Sequence, residues 1–248
     1  MAARIIKELK GHSGSKIFLM TKHDRLFVRK QGNIARNLQS FENLEPYHIP
    51  VPEMYHMFDD TIDMEYIDGL DMATYLANHD PKPFVDFLDS TIDKFLMITK
   101  TVDYRTTIEQ FLDLIDLDSF PFTAEDLLYR IPTRLTQSMY HGDLTLENIL
   151  WNPDRGFVLI DGSSGIWNSY IFDLCKLRQD LDCHWFIRNS SIDLTNQLNY
   201  IKQEIFNRWP IVNNDALLIL MLLRVYRYCS EGSVEQDFIK KEINRLWK

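Results

Sequence analysis

The sequence contains few cysteines, no long apolar run and no long basic run. Its cysteines, Cys175, Cys183 and Cys229, lack the paired spacing of zinc sites and are typical of reduced thiols in a cytoplasmic protein. Adjacent cations occur only as pairs, such as Arg29-Lys30, and the formal net charge is -9. The charge balance therefore disfavours nucleic acid and anionic membranes as partners.

Targeting and membrane-spanning patterns are also missing. Residues 1–10 mix charged with apolar side chains and contain no apolar core, so we expect no signal peptide. The most apolar stretch, Ala216 to Leu223, is far shorter than the roughly 20 residues that cross a bilayer. No internal repeat or low-complexity tract interrupts the chain. With 248 residues, of which 45% are hydrophobic, the chain can bury a sizeable core, as one bilobal domain or two small ones.

The most informative stretch lies between residues 140 and 162. It reads Tyr-His-Gly-Asp-Leu-Thr-Leu-Glu-Asn-Ile-Leu from residue 140 onward, and Phe-Val-Leu-Ile-Asp-Gly from residue 157. The apolar runs 149–151 and 157–160 flank 152–156, Asn-Pro-Asp-Arg-Gly, which has strong turn chemistry. We therefore expect a β-hairpin whose far end brings Asp161 beside the loop that begins at His141.

That hairpin brings together Asp143, Asn148 and Asp161. Carboxylate and amide oxygens are ligands that Mg²⁺ prefers, and Mg²⁺ shares its other positions with phosphate and water. One carboxylate that orients a hydroxyl and two oxygen ligands for Mg²⁺ suffice for phosphoryl transfer from ATP. Asp and Asn also occur in loops because their side chains bond to nearby backbone, so this explanation stays open for each residue taken alone. We expect His141 to hold the loop rather than to act as a base.

The combination resembles the aminoglycoside phosphotransferase and choline kinase family of small-molecule kinases. The resemblance covers most of the chain and is strongest in three stretches: His141-Gly142-Asp143 followed by Asn148, Ile160-Asp161-Gly162, and Asp173-Leu174-Cys175-Lys176-Leu177. It implies an α+β, bilobal protein-kinase-like fold. Residues 1–68 would form an N-terminal nucleotide-binding lobe with an antiparallel sheet. Residues 69–248 would form a mainly helical C-terminal lobe for catalysis and acceptor binding.

The resemblance also implies roles for individual residues. Asp143 would be the catalytic base, Asn148 and Asp161 the Mg²⁺ ligands, and Asp173 a buried carboxylate that supports the loop. The implied cofactors are ATP, with GTP as a possible alternative, and Mg²⁺. The implied partner is a small-molecule hydroxyl acceptor: a sugar or sugar alcohol, an aminoglycoside, or choline or ethanolamine. The oligomeric state stays open.

The N-terminal third fits a nucleotide site. Residues 5–9 and 16–20 read as strands around a turn from Gly11 to Ser15. Backbone N–H groups in such a turn, here near Ser13 and Gly14, can approach phosphate oxygens. Any hairpin can contain two glycines, so the turn alone is weak evidence.

The next strand, 26–30, contains the cation expected at the nucleotide phosphates. Strand alternation places Arg29 and Lys30 on opposite faces. The pattern of choline-kinase-like members favours Arg29, with Lys30 as the alternative. The family's following helix, here 33–44, normally provides a Glu that pairs with this cation. At that position the chain has Arg36, Asn37 and Gln39, so we consider that Glu42 substitutes, that phosphates alone hold the cation, or that activity is reduced.

Residues 61–69 read as a strand that ends in a glycine turn. The resemblance implies that this is the hinge between lobes, where Glu65, Tyr66 and Ile67 bind the adenine edge mainly through their main chain. An ordinary strand leading into a loop has the same pattern. The rest of the chain reads as helical, with helices expected at 84–96, 194–206, 216–228 and 234–247.

Other functions remain open. The chain can be a weakly active or inactive kinase relative that binds nucleotide or a partner. It can also be a metal-dependent hydrolase that uses His141, Asp143 and Asp161 as ligands. Protein-kinase activity is less favoured, because no activation segment or peptide-docking motif is recognisable after Asp161.

Overall fold

The computed structural model describes residues 3–9, 15–32 and 34–248, and it has the expected α+β architecture. The N-terminal part is an antiparallel sheet in the strand order β1-β2-β3-β5-β4. Its strands are β1 (Arg4–Leu9), β2 (Lys16–Lys22), β3 (Arg25–Gln31), β4 (Met54–Phe58) and β5 (Thr61–Glu65). The strands predicted at 5–9, 16–20 and 26–30 are thus confirmed.

Helix α1 (Ala35–Leu44) follows the third strand, close to the predicted helix at 33–44. It packs on the sheet through a small core that contains Phe41 and Ile62. Two polar residues of α1 that do not belong to this core, Asn37 and Ser40, are also buried. Because Asn37 and Ser40 are polar, their burial indicates that α1 contacts polar groups elsewhere in the chain.

Two smaller sheets follow. One has the order β10-β9-β6, from β6 (Leu70–Asp71), β9 (Ile149–Asn152) and β10 (Gly156–Leu159), and the other pairs β7 (Lys100–Asp103) with β8 (Arg134–Gln137). The predicted hairpin is confirmed as β9 and β10, with Ile160 just beyond the second strand. Its turn forms because Asn152 Oδ1 accepts hydrogen bonds from the backbone N–H groups of Asp154 and Arg155.

The C-terminal part is mainly helical. Its helices are α2 (Met72–Asn78), α3 (Lys82–Phe95), α4 (Arg105–Leu112), α5 (Ala124–Arg130), α6 (Tyr170–Cys183), α7 (Thr195–Arg208), α8 (Asp215–Tyr226) and α9 (Val234–Leu246). The four predicted helices correspond to α3, α7, α8 and α9. Asn214 caps α8, because its side-chain oxygen accepts a hydrogen bond from the Leu217 N–H at 2.9 Å.

Helices α6 and α8 form the centre of this part. Every residue of α8 from Ala216 to Leu223 is buried, as its apolar sequence predicts. Most of α6 is buried as well, although it contains several charged side chains. No helix within the described ranges is long and apolar enough to cross a membrane.

We expect Leu220→Ala, in the middle of α8, to lower the free energy of unfolding by about 2–5 kcal/mol, because it leaves a cavity in a fully buried helix. Leu114→Ala is the matched control, since Leu114 is 63% exposed and its truncation changes stability by about 0.5 kcal/mol or less. Chemical denaturation of the two variants measures both values. Equal losses would contradict the burial of α8.

Candidate active site

Residues 141–148, called here the catalytic loop, are fixed to helix α6 by buried carboxylates. Asp173 accepts hydrogen bonds from the backbone N–H groups of His141 at 2.6 Å and Gly142 at 2.8 Å. About two turns further along α6, Asp180 accepts a hydrogen bond from the backbone N–H of Leu146 at 2.6 Å. Burial raises the pKa of Asp173 to about 7, although the two N–H donors favour its ionised form. Helix α6 therefore holds both ends of the loop.

Gly142 is required where the loop meets the segment after β10. Its φ of +88° lies in the left-handed region, and a Cβ atom there would overlap the carbonyl oxygen of Ser163. The Ser163 N–H in turn donates to the His141 carbonyl at 2.8 Å. The backbone of the loop and the backbone after Asp161 thus touch directly.

The His141 ring joins the loop to the hairpin, as expected. The residue is fully buried, and its Nε2 lies 3.0 Å from the Ile160 carbonyl oxygen. Burial lowers the pKa of His141, so the ring is neutral near pH 7 and Nε2–H donates to that carbonyl. The Nε2–H group of His141 is therefore used in a hydrogen bond within the protein.

The three expected site residues come together at the open side of the loop. Asn148 donates its side-chain N–H to the Asp143 carbonyl at 2.8 Å and to Asp143 Oδ2 at 3.0 Å. The Ile160 N–H donates to the Asn148 carbonyl at 2.9 Å, which ties the residue before Asp161 to the same unit. The side chains of Asp143 and Asp161 are 38% and 37% exposed, so solvent reaches both carboxylates.

The oxygen atoms of this unit fit Mg²⁺. Both side-chain bonds of Asn148 use its nitrogen, which leaves its amide oxygen for a cation. Asp161 contributes a partly exposed carboxylate. Within the part of the chain that the structure describes, no group of three or more His, Cys, Asp or Glu side chains is arranged to hold a metal. The donors present are hard oxygens, which suit Mg²⁺ completed by phosphate and water.

Asp161 has an unusual backbone that two side chains stabilise. Its φ is +56°, a left-handed conformation that is uncommon outside glycine and clusters at functional sites. Lys30 forms an ion pair with its carboxylate. The side-chain amide nitrogen of Asn37 donates to Asp161 Oδ1 at 2.9 Å and to the Gly162 carbonyl at 2.7 Å.

The structure places the two adjacent cations of β3 beside different carboxylates. The Lys30 side chain is 5% exposed and points toward Asp161. Arg29 lies on the opposite face of the strand, where its guanidinium binds both carboxylate oxygens of Asp63 at 2.6 Å. Both residues fit the apolar-cation pattern, so the preference of that pattern for Arg29 stays a prediction. The contacts favour Lys30, because Lys30 lies on the face of the sheet that turns toward Asp161.

Asn37 is one of the three residues, with Arg36 and Gln39, at the place of the expected helix Glu. This residue binds Asp161 and not a cation, and Lys30 pairs with Asp161 instead of with α1. Glu42 is exposed, and no ion pair of Glu42 is found among the described residues. Glu42 therefore pairs with neither cation of β3 in the contacts that the structure describes.

Two cations that sequence reasoning missed lie beneath the loop. Lys176 Nζ on α6 is 3.4 Å from Asp143 Oδ1, and Arg224 on α8 donates to the Gly142 carbonyl at 3.0 Å. Burial raises the pKa of Asp143, but Lys176 and Arg224 outweigh this effect, so the pKa is lowered and the carboxylate is ionised. A cation in the buried helix that carries Asp173 was the available signal for Lys176.

The remaining expected contacts lie in the N-terminal part. Residues 66–69 connect β5 to β6, and Glu65 forms an ion pair with Arg155. The backbone N–H groups of Tyr66 and Ile67 donate to no protein acceptor in the described ranges. Ser13 and Gly14 lie outside the described residues.

We expect Gly142→Ala to destabilise the protein more than Gly156→Ala does. Both glycines have positive φ, +88° and +73°, but only at Gly142 would a Cβ atom meet backbone. The strain shared by both variants is about 1–2 kcal/mol, and the overlap at Gly142 adds about 1–3 kcal/mol or more. Urea unfolding of the two variants provides the comparison, and equal destabilisation would contradict the close contact with Ser163.

Comparison with known proteins places this geometry in a recognised fold. No protein-family model matches the chain, and no curated protein sequence matches it. Solved structures do match. A thermostable mutant of aminoglycoside phosphotransferase APH(4)-Ia, in a ternary complex with ADP and hygromycin B, is 11% identical with a TM-score of 0.71; the alignment covers 97% of this chain and 92% of that one.

Two further neighbours are a putative fructosamine-3-kinase from Haemophilus somnus 129PT and the choline kinase LicA from Streptococcus pneumoniae. The first is 13% identical with a TM-score of 0.65, over 100% of this chain and 92% of that one. The second is 16% identical with a TM-score of 0.60, over 99% of this chain and 92% of that one. The chain therefore has the protein-kinase-like fold that these small-molecule kinases share.

Proposed function

We propose that the protein is a phosphotransferase that moves the γ-phosphoryl group of ATP to a hydroxyl of a small molecule. The observation that carries this proposal is the hydrogen-bonded unit of Asp143 and Asn148 beside Asp161, with Lys30 on the carboxylate of Asp161. The fold supports the proposal, and so does the neighbour that was solved with ADP and hygromycin B. Residues 1–68 would bind the nucleotide, and residues 69–248 would provide catalysis and the acceptor site.

Asp143 is the proposed catalytic base. The acceptor oxygen forms a bond to the γ-phosphorus while the bond from that phosphorus to the bridging oxygen breaks, ADP leaves, and the hydroxyl proton passes to the Asp143 carboxylate. Asn148 and Asp161 would hold Mg²⁺, which neutralises phosphate charge when bound. The protein contributes mainly positioning and fixed charge, as phosphoryl transfer requires.

The nucleotide contacts follow from the same arrangement. Lys30 would bind phosphate oxygens, since its ammonium is already at Asp161, whereas Arg29 is bound to Asp63. Ser13 and Gly14 would add backbone contacts from the turn between β1 and β2. The main chain at Glu65, Tyr66 and Ile67 would bind the adenine edge, or guanine if GTP is the donor.

The acceptor is proposed by class. Hydroxyl-bearing sugars or sugar alcohols, aminoglycosides, and choline or ethanolamine fit a site that positions a hydroxyl over Asp143. The three structural neighbours are an aminoglycoside phosphotransferase, a putative fructosamine-3-kinase and a choline kinase. Acceptor screening therefore starts with one representative of each class.

A second candidate is a kinase relative with little or no activity. Asn37 favours it, because a neutral side chain of α1, and not a Glu, contacts Asp161. Such a protein would bind nucleotide or a partner without turnover. A metal-dependent hydrolase has less support, because the His141 ring is buried and bonded to the Ile160 carbonyl.

We expect Asp143→Asn to lower transfer from ATP by about 10²–10⁴-fold, because the variant cannot accept the hydroxyl proton. Its affinity for Mg·ATP should stay close to the native value, since Asn keeps the size of the side chain. Transfer of radiolabelled phosphate to the acceptor panel, combined with calorimetric titration of Mg·ATP, measures the two effects. Turnover near the native rate would remove Asp143 from the role of base.

Lys30→Met and Arg29→Met form a matched pair of variants. We expect Lys30→Met to weaken Mg·ATP binding by about tenfold or more, the size of a lost hydrogen bond to a charged group. Arg29→Met should lower stability through the unpaired Asp63 and leave nucleotide affinity unchanged. Calorimetric titration separates the two, and the opposite ranking would restore Arg29 as the phosphate-binding cation.

A further inference from the structure

Helix α6 presents one charged stripe to the catalytic loop. Asp173, Lys176 and Asp180 are spaced by three and four residues, which places them on the same helical face. The two carboxylates bind backbone N–H groups of the loop. Lys176 alone among the three reaches a side chain of the loop, because its Nζ lies 3.4 Å from Asp143 Oδ1.

The Lys176 ammonium is poorly satisfied within the protein. Its side chain is 8% exposed, so solvent reaches it little. An ammonium has three N–H donors, yet its contacts are Asp143 at 3.4 Å and Gln179 Oε1 at 3.3 Å. Charge-assisted bonds are normally about 2.7–2.9 Å long. Burying a cation without close partners costs stability, so packing alone does not explain a lysine at this position.

Arg178, on the same helix, shows the contrast. Its guanidinium is 3% exposed and binds Asp182 at 2.7 Å, Asp215 at 2.8 Å and the Val212 carbonyl at 2.8 Å. Arg178 is a structural cation whose donors are used by the fold. Lys176 has no comparable set of acceptors in the described residues. An anion that binds beside Asp143 would provide the missing acceptor.

The charges around Lys176 are of both signs. Arg224 also lies beneath the loop and acts on Lys176 by repulsion, while Asp143 and Asp180 attract the ammonium. The loop itself has no cation between Asp143 and Asn148, where it reads Leu-Thr-Leu-Glu. The cation beside Asp143 is therefore supplied by helix α6 and not by the loop.

We propose that Lys176 is a catalytic residue whose ammonium binds the transferred phosphoryl group beside Asp143. The inference rests on the proposed function and deepens it by naming the cation on the acceptor side of the reaction. In the transfer step, charge develops on the equatorial oxygens of the phosphoryl group while the acceptor oxygen–phosphorus bond forms and the bond to ADP breaks. A fixed cation at these oxygens stabilises the transition state more than bound ATP.

The test uses Lys176→Met in the full chain, with Mg·ADP and fluoroaluminate as the probes. Planar fluoroaluminate carries negative charge like a phosphoryl group in transfer. We expect native protein to bind Mg·ADP more tightly when fluoroaluminate is present. In Lys176→Met, affinity for Mg·ADP alone should stay within about twofold, while the tightening by fluoroaluminate and the slow hydrolysis of Mg·ATP fall by about 10²-fold.

Two further variants make the result specific. Lys176→Arg keeps the positive charge and should recover part of the tightening by fluoroaluminate. Lys202→Met is the matched control, because it removes a lysine that pairs with Asp182 at 3.0 Å, away from Asp143, and it should behave as native.

The outcomes separate the two proposals. If native protein shows no Mg²⁺-dependent binding of ADP, the proposed function fails and this inference fails with it. If native protein binds Mg·ADP but Lys176→Met keeps the full fluoroaluminate effect, only the role of Lys176 is overturned. Loss of cooperative unfolding in both Lys176→Met and Lys176→Gln would assign Lys176 to the fold and would likewise overturn it.

Discussion

The carboxylate of Asp173 is the constraint on which the site depends. It lies in a buried helix and accepts the first two N–H groups of the catalytic loop, so the loop cannot shift without leaving buried polar groups unpaired. Asp180 repeats this bond at the other end of the loop. Because the loop is fixed to α6, Asp143 and Asn148 have defined positions. The His141 ring bonds to the Ile160 carbonyl and so fixes the hairpin, with the adjacent Asp161, relative to the loop.

Charge balance is the second property of the site. The exposed carboxylates of Asp143 and Asp161 each have a buried lysine beside them, Lys176 from α6 and Lys30 from β3. These paired charges give the proposed site both negative and positive groups, which a divalent cation bound together with phosphates would require. Asn37 contributes a neutral hydrogen bond to Asp161, so helix α1 adds no negative charge at this carboxylate.

Local features of this chain were predictable, and long-range contacts were not. The hairpin that brings Asp161 to Asn148 depends on turn chemistry within residues 152–156, which short-range rules describe well. The choice between Arg29 and Lys30 depends on which face of a sheet meets residues more than 100 positions later in the chain. Lys176 meets Asp143 for a similar reason, since only the packing of α6 brings them together. The neighbouring sequence can mark such a residue as unusual, but it does not say which side chain tertiary packing will bring beside it.

Thermal unfolding with and without Mg·ATP, for native protein and for Asp161→Ala, tests the central claim most directly. A ligand present at about 100 times its dissociation constant adds roughly 2.7 kcal/mol to stability, which for a domain of this size raises the Tm by several degrees. The account predicts such a shift for native protein, its dependence on Mg²⁺, and its loss in Asp161→Ala. The absence of a shift in native protein, or an equal shift in the variant, would contradict a nucleotide site built on Asp161.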